Sequence, residues 1–381
     1  MKRLVFQQGL DWLKDLDLSE EISGHKCYVR IFHVHGGLSN GMSILEVSNG
    51  PWIIRLLPSK GMSIWNAGWK GTFLGWKSPV RGPVHPALVE NERRGGLGWL
   101  DGFDEWFCRC GLSFNGPPGV TSDGARITLH GRIANLPAHK IEVQLPDSEA
   151  GEIVVKATIE ESSLFSPLLE LQSIYRLPVG KDHFFIEDTV TNKGTSKAFF
   201  ELLYHCNVGD PLLGKNSIWK ASSSEVSPQT LEAAKGIETF QEYGSSQPGY
   251  KEQVFLCKPA CDKQGTALAF IANPETEKAF SISYKPTQLP CFTVWKNLGG
   301  IEEGYVTGLE PAINYPNFID FEKAQGRGKY LEPGQVWNGD LKLEMKEGKK
   351  AIKDLENRVA EIENGSCIVH KKPVGLYSPN A

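Results

Sequence analysis

The chain has 381 residues, of which 40% are hydrophobic and 23% charged, with a formal net charge of −4. This composition is typical of a globular protein and gives no indication of nucleic acid or an anionic membrane surface as a partner. No stretch reaches the roughly 20 apolar residues that span a bilayer, and the N-terminus turns polar before a signal-peptide core develops. We therefore expect a cytoplasmic protein.

Eight cysteines are dispersed along the chain. Without an export signal they are expected to be reduced thiols rather than a disulfide framework. Cys108 and Cys110 form a CxC pair, and Cys257 and Cys261 a CxxxC pair; neither has zinc-ribbon spacing or a matching pair of histidines. The sequence therefore predicts no metal site.

The N-terminal part of the chain is interpreted as an extension over residues 1–35. It contains a possible short helix around Leu10–Leu18, whose apolar spacing is mixed between strand and helix periods, so its type stays open. From Met42 to Leu57 apolar and polar residues alternate on either side of Asn49-Gly50-Pro51, which predicts a β-hairpin. Between Gly61 and Gly124 the chain is rich in Trp, Gly and Pro, and long loops packed by aromatic residues are expected there.

Strand patterns return after Ile127 and are separated by turn residues, with no helix-sized segments between them. This spacing predicts an all-β antiparallel sandwich rather than a βαβ fold. One large domain over residues 36–346 is the default. The predicted strands are Ile153–Ile159, Leu169–Leu177, Phe184–Val190, Phe199–Tyr204, Thr266–Ala272, Ala279–Tyr284, Cys291–Trp295, Tyr305–Leu309 and Trp337–Met345.

The C-terminal residues 347–381 are predicted to form a helix and a tail. Ile352, Leu355, Val359 and Ile362 fall on one face of a helix between about Lys349 and Glu363. Gly365 follows at the position where a glycine stops a helix. We expect this helix to pack on the sandwich.

Three short segments carry ionisable side chains at the ends of strand-like runs, where a β scaffold presents chemistry to a cleft. They are Leu129-His130-Gly131-Arg132, Tyr204-His205-Cys206-Asn207 and Gly308-Leu309-Glu310-Pro311. Two imidazoles and a carboxylate suffice for acid–base work on a neutral polyol. Without further context, Glu310 could equally be a surface glutamate, and His205 a core histidine bonded to a backbone carbonyl.

In this order and spacing, the three segments resemble the aldose 1-epimerase (galactose mutarotase-like) superfamily. They are most similar to its uncharacterised bacterial epimerase-like branch, of the domain of unknown function 4432 type. The likeness runs from about Gly36 to about Met345. It implies a mutarotase-like β-supersandwich, a small-molecule carbohydrate as ligand, and interconversion of sugar anomers without a cofactor.

The resemblance also implies roles for individual residues. Glu310 corresponds to the general base, His205 to the general acid, and His130 to a histidine that hydrogen-bonds the ring or anomeric oxygen. Arg132 stands where the galactose enzymes carry a glycine; its guanidinium suits a hydroxyl pair, a carboxylate or a phosphate, and an ion pair to a sandwich carboxylate is an equal alternative. The further candidates for substrate contact are Asn207, Trp295, Lys296, Asn314 and Asp101.

Two other functions stay open at this point. A carbohydrate-binding or sensing protein could keep the pocket without turnover, because fold alone does not settle function. A sugar isomerase or lyase acting on an acidic or oxidised sugar would use Arg132 to hold a carboxylate. The sequence names neither the sugar nor the oligomeric state.

Overall fold

The computed structural model describes residues 3–7, 16–148 and 150–381. Most of the possible helix around Leu10–Leu18 lies outside these residues. Its last two positions, Asp17 and Leu18, begin a strand.

Strands are the main regular structure of the described residues. In chain order they are β1 Arg3–Gln7, β2 Asp17–Ile22, β3 His25–His33, β4 Ser43–Asn49, β5 Trp52–Leu57, β6 Ser63–Trp69, β7 Thr72–Leu74, β8 Phe107–Leu112, β9 Gly119–Val120, β10 Arg126–Ile127, β11 Ala138–Gln144, β12 Glu152–Glu161, β13 Leu169–Pro178, β14 His183–Asn192, β15 Ala198–Val208, β16 Ile218–Ala221, β17 Ser223–Pro228, β18 Gln253–Pro259, β19 Ala267–Asn273, β20 Lys278–Tyr284, β21 Cys291–Leu298, β22 Tyr305–Ala312, β23 Lys329–Leu331, β24 Val336–Glu347 and β25 Ile368–Val369.

Helices are short apart from the last one. The α-helices are α1 Arg93–Gly96, α2 Leu231–Lys235, α3 Ile301–Gly304, α4 Ile319–Ala324 and α5 Lys349–Glu363. Turns of 3₁₀ helix occupy Gly37–Ser39, Pro86–Leu88, Gly98–Gly102, Ile133–Asn135 and Ile237–Thr239.

Two large sheets contain nearly all of these strands. The smaller sheet has the order β1-β11-β12-β13-β14-β24-β20-β19-β16. The larger sheet has the order β2-β3-β4-β5-β6-β8-β15-β22-β21-β18-β17-β25, with β7 beside β6 and β23 beside β15. Neighbours pair antiparallel except β17 with β25. The predicted all-β sandwich is confirmed.

Side-chain alternation decides which face of each strand is buried between the sheets. On β15, Leu202, Tyr204 and Cys206 belong to the core that the two sheets share. Leu203 belongs to a second apolar cluster on the opposite face of the larger sheet. We call that opposite face the outer face; His205 lies on it because it alternates with Tyr204 and Cys206.

Most sequence-based strand predictions are confirmed, including the hairpin formed by β4 and β5. The expectation of loops throughout Gly61–Gly124 is wrong in part, because β6, β7 and β8 lie within it. β8 is buried on both faces, so its residues show no apolar–polar alternation that a sequence pattern could reveal. β2 and β3 join the larger sheet, while the extension boundary at residue 35 stays a prediction.

The C-terminal helix is confirmed as α5. Its buried residues Ile352, Leu355 and Val359 pack with Leu268 and Phe270 of β19. Asn364 ends the helix in the left-handed conformation, with Gly365 next in the same region. Within the described part of the chain, no helix is both long enough and apolar enough to cross a bilayer.

Candidate active site

The predicted acid and base lie side by side on the outer face of the larger sheet. His205 of β15 is opposite Cys108 of β8, and Glu310 of β22 is opposite Thr293 of β21. Because β15 and β22 are neighbours in the sheet, the two ionisable side chains meet across one strand boundary. The Nε2 atom of His205 is 3.3 Å from Oε1 of Glu310.

Both residues lie inside their strands, which corrects the expectation that they end them. β15 continues to Val208, and β22 to Ala312. The described register of β15 with β22 is interrupted between the pairs Leu203–Ala312 and Cys206–Leu309, where Pro311 has no N–H to donate. Pro311 therefore interrupts the ladder locally without turning the chain.

Asn207 fixes the tautomer of His205. The amide nitrogen of Asn207 donates to the carbonyls of Glu105 (2.9 Å) and His205 (3.3 Å), so its Oδ1 atom is the acceptor. That oxygen lies 2.5 Å from Nδ1 of His205, which must carry a proton. In neutral His205, Nε2 is consequently an unprotonated acceptor that faces Glu310.

Burial favours the neutral forms of both groups. Removal from water, followed by the neighbouring His130, lowers the pKa of His205 to about 3. Burial, with a smaller effect of Glu252, raises the pKa of Glu310 well above its usual value. His205 is 5% exposed and Glu310 2% exposed, so burial favours a neutral imidazole beside a carboxyl group that carries the single proton of the pair.

The Oε1 atom of Glu310 is buried and has no hydrogen bond from any described residue. Its 3.3 Å approach to His205 does not have the alignment of a hydrogen bond. Other buried side-chain atoms among the described residues also lack a partner, but this oxygen is the one that lies beside His205. A hydroxyl group supplied by a ligand would satisfy it.

His130 is held in a strained backbone conformation beside this pair. Its φ of 58° is in the left-handed region, and its Nδ1 atom is 2.7 Å from the carbonyl of Asn115. Burial lowers the pKa of His130 to about 4, so the neutral ring keeps Nε2 as an acceptor. The side chains of Asn115 and Asn314 bond each other reciprocally at 2.9 and 3.0 Å. Asn314 therefore supports His130 indirectly, by holding Asn115.

Four aromatic residues, Trp76, Trp99, Phe103 and Trp295, form what we call the aromatic wall. The ring centres of Trp99, Phe103 and Trp295 lie 6.3, 5.3 and 5.5 Å from that of His205. Trp76 contacts Phe103 at 5.0 Å. Trp295 also donates from Nε1 to Glu252. The acid–base pair is thus enclosed by apolar ring surfaces.

Gly308 leaves the space that the Glu310 carboxylate occupies. A Cβ atom at position 308 would lie 2.2 Å from Oε1 of Glu310 and 3.3 Å from Cε1 of His205. Only glycine permits this approach without displacing the carboxylate. The Gly308-Leu309-Glu310 order is therefore a packing requirement of the pair.

The remaining predicted contacts fall outside the pair. Lys296 is a correction: it alternates with Trp295 along β21, and its amine donates to the carbonyls of Phe240 and Glu242, away from the outer face. Asp101 forms an ion pair with Arg94. Arg132 is exposed, and its guanidinium has no hydrogen bond to a described residue; its role toward a charged ligand stays a prediction.

Sequence patterns did not reveal the residues that hold Asn207 in place. Lys60 is buried, donates to the carbonyl of Gly102 at 2.6 Å and pairs with the carboxylate of Glu105. The carbonyl of Glu105 accepts from both Asn207 and Trp76. No motif marks these residues, although the adjacent Asp104-Glu105 between aromatic residues is an unusual place for two acids. Among the described residues, no group of three or more His, Cys, Asp or Glu side chains is arranged to hold a metal ion.

Comparison with known proteins gives a family and a fold. A family model described as a domain of unknown function (DUF4432) matches residues 39–345. A Klebsiella pneumoniae structure, named provisionally as an aldose 1-epimerase, is 31% identical with a TM-score of 0.94, over 98% of this chain and 99% of that one.

More distant structures agree on the fold alone. Galactose 1-epimerase from Lactobacillus acidophilus is 10% identical with a TM-score of 0.54, over 84% of this chain and 99% of that one. An Escherichia coli protein, again named provisionally as an aldose 1-epimerase, is 15% identical with a TM-score of 0.52, over 81% and 100%. No curated protein matches the sequence. The chain belongs to the DUF4432 family and has the galactose mutarotase-like fold.

Proposed function

We propose that the protein is a cofactor-independent aldose 1-epimerase that interconverts the anomers of a free sugar by general acid–base catalysis. The observation that carries the proposal is the 3.3 Å approach of His205 Nε2 to an otherwise unpartnered Glu310 carboxylate within the aromatic wall. The name of the K. pneumoniae relative supports the same activity. We extend the proposal to carbohydrate metabolism in the cytoplasm.

Ring opening needs one proton removed and one added. A base takes the proton of the anomeric hydroxyl while an acid protonates the ring oxygen, and the C1–ring oxygen bond breaks to give an aldehyde. These two oxygens are attached to the same carbon, so an acid and a base that are close neighbours can serve both. In our proposal ionised Glu310 is the base and protonated His205 is the acid.

The single proton of the pair suits this cycle. Because burial leaves this proton on Glu310, the cycle in our proposal begins with its transfer to Nε2 of His205, while Asn207 stays bonded to the other ring nitrogen. After ring opening Glu310 is protonated and His205 is neutral, which are the two forms that burial favours. Rotation about the C1–C2 bond and ring closure return both protons. The aldehyde stage therefore coincides with the most stable charge state of the site.

The other residues position the sugar in this proposal. Neutral His130 offers Nε2 as an acceptor to a sugar hydroxyl, because its Nδ1 proton is committed to Asn115. Trp295 and Trp99 stack on the apolar faces of the ring. Asn207 and Asn314 act as positioning residues behind His205 and His130.

Polarimetry and NMR on a panel of pure anomers test the proposal. The wild-type protein should accelerate anomer exchange of at least one aldose and leave its constitution unchanged. Binding without acceleration across the panel would favour a carbohydrate-binding or sensing protein. A product of altered constitution would favour an isomerase or lyase.

A further inference from the structure

We call the space bordered by the aromatic wall and the His205–Glu310 pair the cleft. A depression of about 240 Å³ lies beside it. Trp76 borders it and also contacts Phe103 of the aromatic wall, so one indole separates the two spaces. Asp104 borders the depression, whereas the preceding Phe103 faces His205. The volume is small for a drug-sized ligand and of the order of one sugar ring.

Three aromatic side chains line the depression: Trp65, Phe73 and Trp76. Phe73 is 50% exposed, so part of its ring is open to a ligand. Aromatic faces bind the C–H faces of sugar rings, so this lining suits a saccharide better than a wholly polar ligand.

The polar lining has unused hydrogen-bonding capacity. Asp104 is 8% exposed; its Oδ2 atom accepts from Trp65 at 2.7 Å, while its buried Oδ1 lies 4.0 Å from the amine of Lys60 and has no hydrogen bond from a described residue. Burial, followed by Glu105, raises the pKa of Asp104 to about 7. The side-chain oxygen of Asn66 accepts from Arg55, and its amide nitrogen donates to no described residue. Hydroxyl groups would pair with both.

The charges around the depression disfavour an anionic ligand. Lys77 is already paired with Glu302, and Asp104 contributes a carboxyl group to the lining. Arg81 alone offers an exposed cation without a described partner. A phosphate or carboxylate would therefore face acidic groups as well as one arginine. A neutral hydroxylated ring meets no such repulsion.

We infer that the depression binds a second, uncharged sugar unit of a reducing oligosaccharide whose reducing-end ring occupies the cleft. This inference rests on the proposed function, because it takes the cleft as the site of the reducing end. The two spaces are linked physically: the carbonyl of Glu105 accepts from Trp76 at 3.0 Å and from Asn207 at 2.9 Å. A sugar ring stacked on Trp76 therefore contacts a side chain that shares its hydrogen-bond acceptor with Asn207, the residue that holds His205.

The test compares kcat/KM for mutarotation of an aldose with that of reducing disaccharides built on it. We expect Phe73→Ala to lower the disaccharide-to-monosaccharide ratio of kcat/KM by roughly threefold to tenfold, as loss of one aromatic contact implies. Asn66→Asp keeps the acceptor for Arg55 but removes the amide donor, and should lower the same ratio. Phe165→Ala, at a fully exposed phenylalanine between β12 and β13, is the matched control and should leave the ratio unchanged.

The outcomes separate this inference from the proposed function. An unchanged ratio in Phe73→Ala and Asn66→Asp, with mutarotation intact, overturns the second subsite and leaves the epimerase proposal standing. If no sugar is turned over, saturation-transfer NMR with the same disaccharides measures binding directly. Weaker binding in Phe73→Ala but not in Phe165→Ala then supports the subsite while the epimerase proposal fails, and equal binding overturns the subsite.

Discussion

The two faces of the larger sheet bury ionisable groups in opposite ways. On the inner face, Arg109 of β8 bonds Asp188 at 2.5 and 2.9 Å, Ser173 at 2.7 Å, and both Gly61 and Tyr175 at 3.2 Å. Its guanidinium is therefore held from several sides. On the outer face Glu310 keeps an unpartnered oxygen.

This difference separates a structural charge from a reactive one. A buried ion pair whose hydrogen bonds are satisfied fixes one arrangement of the strands, and breaking it leaves an uncompensated charge. A buried carboxyl with an unused oxygen and a strongly shifted pKa is available to a ligand. Each prediction below tests whether the two faces separate stability from activity.

Glu310→Gln should have the largest effect. The amide keeps the shape but cannot accept the anomeric proton, so kcat for mutarotation should fall by about 10²–10⁴-fold. The free energy of unfolding should stay close to wild type, because Glu310 is already neutral when buried. The exposed Glu332→Gln is the control. Near-full activity of Glu310→Gln would exclude the proposed mechanism.

Arg109→Met should lower stability and leave activity unchanged, the reverse of Glu310→Gln. It leaves Asp188 buried without its cation, which costs about 3–5 kcal/mol in the free energy of unfolding. Urea unfolding measures the loss, with the exposed Arg132→Met as the matched control. Folded Arg109→Met should retain mutarotase activity, since the guanidinium faces away from the cleft. A stable but inactive variant would remove the distinction between the faces.

The ionisable residues of the outer face were easier to predict from the sequence than those of the inner face. His130, His205 and Glu310 lie in motifs that a family resemblance carries, and the structure brings all three together. Arg109 carries no such signal, because its partner Asp188 lies 79 residues away and only the folded register brings the two together.

Strand alternation would have revealed one error before the structure. Trp295 and Lys296 are consecutive, and consecutive residues of a strand face opposite sides; both could not line one cleft. The positions of His205 and Glu310 within their strands needed the fold itself. Pro311 indicated a strand end, whereas tertiary pairing with β21 continues the strand past it.

Acid should destabilise the protein through His205 and His130. The folded-state pKa values of His205 and His130 are depressed to about 3 and 4, whereas a histidine in the unfolded chain has a pKa of about 6.5. Below pH 6.5 the unfolded chain therefore binds more protons than the folded protein. Stability from these groups is thus complete above pH 6.5 and falls as pH decreases, by at most roughly 1.4 kcal/mol per pH unit for each histidine.

Glu310 changes stability in the reverse direction, because its raised pKa makes the folded state bind the extra proton above about pH 4.5. The histidine contribution must therefore be read from a difference. Urea unfolding of wild type and His205→Gln between pH 5 and pH 7 should show a smaller loss in the variant. The exposed His35→Gln should follow wild type, and identical slopes for His205→Gln would contradict burial as a neutral ring.

Asn207→Ala should reduce kcat without removing a group that touches the sugar. It deletes the acceptor of the His205 Nδ1 proton, and leaving a buried donor unpaired costs about 1–3 kcal/mol. We expect a loss of kcat of roughly tenfold to a hundredfold. Asn207→Asp should restore the acceptor and, as an anion, raise the pKa of His205. The pH profile of kcat should therefore move to higher pH in Asn207→Asp; an unmoved profile would indicate a packing role alone.

Arg132→Ala should have the smallest effect. Arg132 is exposed, so a charge pair that it forms with a ligand is screened and is worth about 0.2–1 kcal/mol. That free energy corresponds to at most about a fivefold increase in KM, and it should appear for a sugar that carries a carboxylate or phosphate. Neutral aldoses should show no change in KM, since the guanidinium has no part in the His205–Glu310 pair. A large fall in kcat for a neutral sugar would mean that Arg132 moves into the cleft when substrate binds. The division between the satisfied Arg109 of the inner face and the reactive pair of the outer face would then have to include Arg132 as well.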